Sequence, residues 1–530
     1  MKQACVIAVE KWWLAKRDTL RVCMPAVSLA LFLLTAFLFL AASQASMLFF
    51  IGDEGYGDTY ILYDVLHFQK TGEIYRDLSL PPYLPAQYGP LVYMMYAVPR
   101  WDPFANPYFG PRLMAIAAFL LCVAITVSIV RVLVRVRYAW FWGLLLATAT
   151  QPIGEWWVLQ LRGDFPAIFC GLTAMRLLMA KTRYTTVVLA GLFAGFATQF
   201  KFVYVTSLVA CSLWLLLQKK FREFGLFAAA GSLTSAGLYF LFWLREPRML
   251  AQILALSPGI PDYPGLVRNL LVGLETPVVP LALTALPFVS SRVCPRWMLL
   301  LLYAAISFAI ATITGIQAGA NINYYFEMLF AIVPLATVGT FQLLEWSRSN
   351  TGLALFLAGL TLTQLLIRET GTEIWHSGVF HQRSAVRAWN DSYHELSTVL
   401  RGQKVLSTVP FLALLDPQPA LVEPFLAAYE RKIGKFDDHP LMKRVTDRDF
   451  DVVITSDDNR SYRGVPKVDP PLLDAVTTRY EPYCRILQST VNIPRSRQPN
   501  RTLLLNLRNI GCKPIVPPDI VTDFCSGKLE

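Results

Sequence analysis

Two adjacent carboxylates, Asp53 and Glu54, follow directly on a run of 31 residues, Val22 to Gly52, that carries no charge. A charge-free run of that length crosses a bilayer. It therefore delivers both acids to the membrane surface on the far side. Ionised groups held at the edge of hydrocarbon are costly and are functional candidates by default. A carboxylate within hydrogen-bond reach of a hydroxyl can take its proton as the oxygen attacks carbon. The competing reading is a helix N-cap, with Asp53 just ahead of a short helix. Spacing alone divides the two readings evenly.

Three other groups of residues could join such chemistry. Gln160-Leu161-Arg162-Gly163-Asp164-Phe165-Pro166 stands at the head of a further apolar run. Arg162 and Asp164 can pair there, or hold an anionic headgroup and an acceptor; the plain alternative is Asp164 as a cap, with Pro166 in the first turn. The stretch Gln317 to Glu327 is polar, small and aromatic between two apolar runs, with Tyr324 and Glu327 as its candidate donor contacts. Glu327 falls nominally inside a membrane segment, which favours a functional or paired role, against the plainer reading of a Glu hydrogen-bonded between helices. Arg112, Lys201, Arg245, Arg248 and Arg268 are the cations of the same side. A phosphate there would need one or two of them.

The elements that must position these residues are membrane helices. Of the 530 residues 55% are hydrophobic and only 16% charged, against about 25% in soluble domains, and the mean hydropathy is +0.43. The net charge of +11 does not point to nucleic acid, because the basic residues sit in short groups between apolar runs, as membrane topology requires. Apolar windows with little or no charge predict eleven crossings, over 22–48, 113–130, 138–154, 164–180, 184–200, 202–218, 224–244, 269–290, 297–315, 324–344 and 350–367. Only Lys201 separates the fifth from the sixth. The basic loops around Arg17, Arg131, Arg183, Lys220, Arg292 and Arg348 fall at every second boundary. That pattern puts the N-terminus in the cytoplasm and the C-terminal tail outside. The basic N-terminus with Trp12 and Trp13 reads as a lead into a retained first helix, not as a signal peptide.

The first outer loop, roughly 60 residues, alternates proline turns with two amphipathic stretches, 59–69 and 91–99. Its many Tyr and Trp rings favour the headgroup level, so these stretches read as helices lying in the interface. The loop 245–268 looks like a second interfacial element around a short apolar helix. From about residue 370 the apolar runs shorten. Segments 404–408, 451–455 and 502–507 read as strands, and 421–434 as a helix-containing connection. The organisation expected is a transmembrane domain over 1–369 and a small outer α/β domain over 370–530. Cys484, Cys512 and Cys525 lie in that tail and allow at most one disulfide; the other six cysteines sit in or beside apolar segments as packing residues.

Gly52-x-x-Gly55-x-Gly57 is not a dinucleotide loop, since no strand–turn–helix surrounds it. The five histidines show no tight metal pattern. No metal ligand set and no cofactor are called for, with a divalent ion left open. Asn459-Arg460-Ser461 and Asn500-Arg501-Thr502 are glycosylation acceptor triplets that matter only in a eukaryotic secretory setting.

In order and spacing these motifs resemble the GT-C class of polytopic glycosyltransferases that use polyprenyl-phosphate-linked sugars, the class of protein mannosyltransferases and aminoarabinose transferases. The likeness covers about residues 22–345. Asp53-Glu54 matches the acidic pair after the first membrane helix. Tyr88-Gly89-Pro90-Leu91-Val92-Tyr93 is similar to the Pro-Leu-Tyr stretch, and Arg162-Gly163-Asp164 to the Arg-x-Asp element. Gly319 to Glu327 resembles the Gly-x-Asn-x-Asn-Tyr-Phe-x-Glu segment, and Gly191 to Lys201 the Gly-rich helix ending in Thr-Lys. The resemblance implies a lipid bilayer setting, such as a bacterial inner membrane, a polyprenyl-phosphate sugar as donor and a glycan, lipid or protein hydroxyl as acceptor. It implies Asp53 as base, with Glu54 and Asp164 beside it, and Arg or Lys groups on the departing phosphate. Some relatives carry a Lys before the Pro-Pro-Leu stretch; here Gln87 and Tyr88 stand there, which moves phosphate contact to Arg162, Lys201, Arg245 or Arg268. The rival readings are a secondary transporter, which would favour repeated halves and midplane polar residues, and a non-catalytic envelope-assembly scaffold.

Overall fold

The computed structural model describes residues 47–52, 57–77, 85–99, 106–134, 139–149, 157–180, 183–254, 259–275, 281, 284–285, 294–346, 379–409, 412, 420–421, 429, 431, 433–434, 439–456, 461–462, 465–466, 470–487, 489–495 and 500–515. Asp53 and Glu54, Cys525, nearly all of window 22–48 and all of window 350–367 lie outside the described residues.

Two short helices come first, α1 (Asp58–Thr71) and α2 (Pro90–Ala97), where the amphipathic stretches of the first loop predict them. Gly57 and Gly72, both at positive φ, bracket α1. Pro90 opens α2, where its missing N–H is no loss. The bundle follows: α3 (Phe109–Leu133), α4 (Ala139–Ala149), α5 (Asp164–Met179), α6 (Tyr184–Phe200), α7 (Thr206–Leu217) and α8 (Phe221–Arg245). Next come α9 (Met249–Ile253), α10 (Tyr263–Glu275), α11 (Pro295–Thr314) and α12 (Phe326–Trp346). Among the described residues, four spans are long and apolar enough to cross a membrane: 109–133, 221–245, 295–314 and 322–342. The adjoining windows 184–200 and 202–218 resolve into two helices, α6 and α7, with a turn at 201–205 between them.

Helix α10 straddles the boundary between the loop 245–268 and the window 269–290, and most of that window beyond Glu275 lies outside the described residues. The Asp262 carboxylate accepts the Gly265 N–H at 2.9 Å, and Pro264 sits in the first turn, so the start signal lies inside the loop.

Glycines let the helices that carry the polar residues approach closely, as small residues do between membrane helices. A Cβ on Gly191 would lie 2.6 Å from Phe227 O, and one on Gly195 2.6 Å from Gly231 O, so α6 and α8 touch backbone to backbone. Tyr239 of α8 then donates to Thr198 O at 2.6 Å, fixing the C-terminal end of α6. The core around them is aromatic. Phe165 stacks on Phe326 at 5.7 Å, and Trp157 meets the same ring edge-on at 5.4 Å.

The C-terminal part starts with α13 (Val379–Leu400) and continues through β1 (Val405–Ser407), β2 (Ala420–Leu421), α14 (His439–Thr446), β3 (Val452–Ser456), β4 (Ser461–Tyr462), β5 (Val465–Pro466), α15 (Pro470–Arg479), β6 (Tyr480–Ile486), β7 (Ser489–Pro494), α16 (Arg501–Asn509) and β8 (Lys513–Pro514). Six strands form one sheet in the order β2-β1-β3-β7-β6-β8, parallel across β2-β1-β3 and antiparallel beyond; β4 and β5 pair separately. The strands expected near 404–408 and 451–455 are β1 and β3. The third, 502–507, is instead the helix α16. Asn500 caps it by accepting the Leu503 N–H at 3.3 Å, and Leu503 and Leu507, four apart, are the residues it buries. The apolar residues there follow a helical period, which a short Leu-rich run conceals.

Cys484 and Cys512 are disulfide-bonded across 28 residues, which decides between the pairings that the tail cysteines allowed. Closing a loop of that length is worth about 3.6 kcal/mol. Replacing both by Ser is expected to lower the unfolding midpoint of the sheet, followed by near-UV circular dichroism, and leave the membrane helices assembled.

Candidate active site

Asp164 is the first residue of α5, and it does not cap that helix: Gly163 holds the N-cap position. Its carboxylate is engaged elsewhere. Oδ1 accepts from Lys201 Nζ at 3.1 Å and from the Tyr204 hydroxyl at 2.7 Å. Asn323 Nδ2 lies 3.1 Å from each carboxylate oxygen. The acid is 2% exposed and the lysine 12%. The Asp164 carboxylate thus joins the start of α5 to the turn after α6 by an ion pair and to the segment before α12 through Asn323.

Lys201 also lies face-on to an aromatic ring, with Nζ 4.2 Å from the Tyr324 centroid, a cation–π arrangement. Burial pulls its ammonium down, but the Asp164 carboxylate beside it, aided by Tyr324 and Tyr88, pulls it up further, and the net displacement is upward. With a folded-state value above the ordinary 10.5, the protonated lysine contributes its full share of the pair's stability at pH below 10.5 for as long as the Asp164 carboxyl is ionised. The contribution is lost only as pH rises through the still higher folded value. Lys201 is therefore a permanent cation in the neutral range.

Arg162, two residues before Asp164, is the second cation. Its Nε donates to Gln160 Oε1 at 3.1 Å and its Nη1 to the Tyr88 hydroxyl at 3.1 Å, while its carbonyl accepts from Tyr96 at 2.8 Å. Burial lowers its affinity for a proton, but Tyr88, Asp58 and Asp164 more than restore it. Gly57 comes so close that a Cβ there would sit 3.4 Å from Arg162 Nη2, and Gly57 adopts φ 106°, the left-handed region that favours glycine. Beside it Asp58 Oδ1 accepts the Leu161 N–H at 3.2 Å. The head of α1 is thereby fastened to the segment that bears Arg162 and Asp164.

Three motifs that are far apart in the chain meet at the last carbonyls of α6. Gly89 N donates to Phe200 O at 3.3 Å, and a Cβ on Gly89 would fall 1.9 Å from Gln199 O. A Cβ on Gly163 would lie 2.8 Å from Phe200 O. No side chain fits at either place, which brings Tyr88, Arg162 and Lys201 around one spot.

Of the residues singled out by sequence, Arg162, Asp164, Lys201 and Tyr324 come together. Glu327 is deeper, where Thr206 donates to one of its oxygens at 2.6 Å and Tyr303 to the other; it ties α7, α11 and α12 together as a Glu hydrogen-bonded between helices. Arg245 is exposed and donates to Gly72 O at 2.9 Å, and Arg268 is exposed on α10. Arg248 pairs with Asp77 at the surface. Arg112 is fully buried and donates to Phe50 O and Gly52 O. Tyr204, Asn323 and Asp58 were not singled out. Tyr204 gives no signal inside an apolar stretch, whereas Asn323 and Asp58 lie inside segments already marked as polar.

No protein-family model and no curated protein sequence matches the chain. The fold, however, has a solved counterpart. ArnT from Cupriavidus metallidurans, an aminoarabinose transferase, in its apo state, superposes with a TM-score of 0.59 at 12% identity, covering 86% of this chain and 98% of ArnT. The same protein bound to undecaprenyl phosphate gives 0.57 at 12% identity, covering 86% and 97%. The chain has the GT-C glycosyltransferase fold. This GT-C fold is that of a polytopic membrane protein, in agreement with the apolar helices above.

Removing one partner of a buried pair leaves an uncompensated charge and costs about 3–5 kcal/mol, while removing both costs far less. Asp164→Ala is therefore expected to lower the thermal midpoint of the detergent-purified protein strongly. Asp164→Ala combined with Lys201→Met should recover much of that loss. Equal midpoints for the single and the double variant would show that the pair is not what holds the three segments together.

Proposed function

We propose that the protein transfers a sugar from a polyprenyl-phosphate donor to an acceptor hydroxyl at the outer face of the membrane. The observation that carries this is the meeting of two half-buried cations, Lys201 and Arg162, with the phenols of Tyr88 and Tyr324 at one end of a GT-C bundle. The ArnT of the same fold was solved with undecaprenyl phosphate, which is the leaving group that this reaction would release.

The chemistry runs as a single displacement. The acceptor oxygen forms a bond to the anomeric carbon as the bond from that carbon to the phosphate oxygen breaks. The electron pair leaves with the phosphate, and the acceptor proton passes to a carboxylate, here Asp53, with Glu54 next to it. Lys201 and Arg162 meet the charge that gathers on the phosphate, which is where fixed cations accelerate such a step most. Asp164 serves here by holding Lys201 in place. Tyr324 and Tyr88 give the sugar or phosphate aromatic and phenolic surface. Glu327 acts through the helices it ties, and Arg245 and Arg268 fall to the outer rim, where lipid headgroups are their partners. No cofactor is called on, because the donor already carries a phosphate leaving group. A glycan, a lipid or a protein can supply the hydroxyl. The setting that fits is a bacterial inner membrane with the N-terminus in the cytoplasm and the 370–530 domain outside.

The reading is tested with purified protein in nanodiscs and a panel of radiolabelled undecaprenyl-phosphate monosaccharides. Asp53→Asn is expected to lower transfer about 10²–10⁴-fold and to keep binding of undecaprenyl phosphate. Lys201→Met is expected to weaken that binding at least about tenfold, the loss of one charge-assisted contact. Full transfer by Asp53→Asn would remove Asp53 as the base, and unchanged lipid binding by Lys201→Met would remove Lys201 from the phosphate site.

A further inference from the structure

The main chain that leads into Asp53 and Glu54 is held at every carbonyl from Phe49 to Gly52. Asn106 and Asn390 donate to Phe49 O at 2.9 and 2.7 Å. Arg112 donates to Phe50 O and to Gly52 O. Trp389 Nε1 donates to Ile51 O at 2.8 Å, and Asn390 Oδ1 accepts the Ile51 N–H at 3.0 Å. The Phe50 ring lies 5.5 Å from the Trp389 ring. Of these six hydrogen bonds, three come from Asn106 and Arg112 at the head of the bundle and three from α13, 338–341 residues further along the chain.

Docking of α13 does not by itself require these contacts. Trp389, Tyr393, Leu396 and Leu400 form one stripe of the helix, and the last three are already buried in the core. Its first member turns an indole N–H toward Ile51, and the neighbouring Asn390 offers both a donor and an acceptor to the same strand of chain. Each removes freedom from backbone that would otherwise keep its conformational entropy. The residues pinned in this way lie immediately before the two acids.

We infer that Trp389 and Asn390 are positioning residues for the reaction: α13 of the C-terminal part holds the backbone at Phe49 and Ile51, just ahead of Asp53 and Glu54 in the chain. The inference rests on the reading of Asp53 as the base. It makes the C-terminal part a component of the reaction centre, beyond a role in binding partners. A misplacement of about 1 Å costs on the order of 10²-fold in rate. It would act on proton removal in the transition state and leave donor binding intact.

The test uses the full chain in nanodiscs, with whichever labelled undecaprenyl-phosphate monosaccharide is consumed, and hydrogen exchange of the peptide covering 47–57. Trp389→Phe keeps the ring and deletes the donor; Asn390→Ala deletes donor and acceptor. Each is expected to speed exchange of that peptide and to lower kcat about 10–100-fold, with KM for the donor within about twofold of wild type. Asn390→Ser, which keeps an acceptor for Ile51, should recover part of both. Asn500→Ala removes a helix cap in the same part of the chain. It should lower the unfolding midpoint and leave kcat per folded molecule unchanged. Wild-type kcat per folded molecule in both Trp389→Phe and Asn390→Ala overturns the inference, and so does a loss no larger than that of Asn500→Ala. Asp53→Asn, run alongside, separates the two readings. An inactive Asp53→Asn with fully active Trp389 and Asn390 variants ends the positioning role alone, whereas a fully active Asp53→Asn ends both.

Discussion

The ion pair between Asp164 and Lys201 is the contact on which the site depends. It joins the start of α5 to the turn after α6, Asn323 adds the segment before α12 to the same carboxylate, and the pair is almost wholly withdrawn from solvent. A buried pair is weak evidence for added stability, since desolvation offsets much of the attraction. Its consequence is geometric: neither partner can leave without stranding the other. Tyr204 and Asn323 add to the donors on the carboxylate, three of which converge on Oδ1, so Asp164 is held in one orientation. Lys201 donates to one acceptor among the described residues and faces an aromatic ring. It therefore keeps both its charge and donor capacity.

That pair can form because backbone approaches backbone nearby. Gly89 and Gly163 both press on the final carbonyls of α6, and α6 itself lies against α8 through Gly191 and Gly195. Any side chain at these glycines would push Tyr88, Arg162 or Lys201 outward by the width of a methyl group or more. In hydrocarbon, where apolar burial gives helices little reason to prefer one another, such close packing is the main source of specificity. The polar contacts of the site thus rest on a small-residue scaffold within the bundle.

The position of the C-terminal part follows from the same end of the molecule. Tyr429 accepts the Ile260 N–H at 2.6 Å and a contact from Gln317 Nε2 at 3.2 Å, while Trp389 and Asn390 hold the chain before Asp53. The C-terminal part therefore meets the bundle through α13 and Tyr429.

Much of this was legible in the residues themselves. Long charge-free runs announced the helices, because hydrocarbon admits only backbone that satisfies its own hydrogen bonds. The amphipathic stretches of the first loop are readable from period, and the strands β1 and β3 from short apolar runs between turn residues. Arg162, Asp164, Lys201 and Tyr324 could be singled out because charge and aromatic rings at a membrane edge are conspicuous. The same logic also marked Arg245 and Arg268, which remain at the surface, since exposure is not written in residue type. The run 502–507 was misread because a few leucines fit either period, until the cap at Asn500 and the burial of Leu503 and Leu507 decided for a helix. Only the tertiary structure could pair Asp164 with Lys201, place Tyr204 and Asn323 on the same carboxylate, and bring Trp389 to Ile51. Those contacts join residues dozens to hundreds of positions apart, and their partners are chosen by packing, which local sequence does not encode.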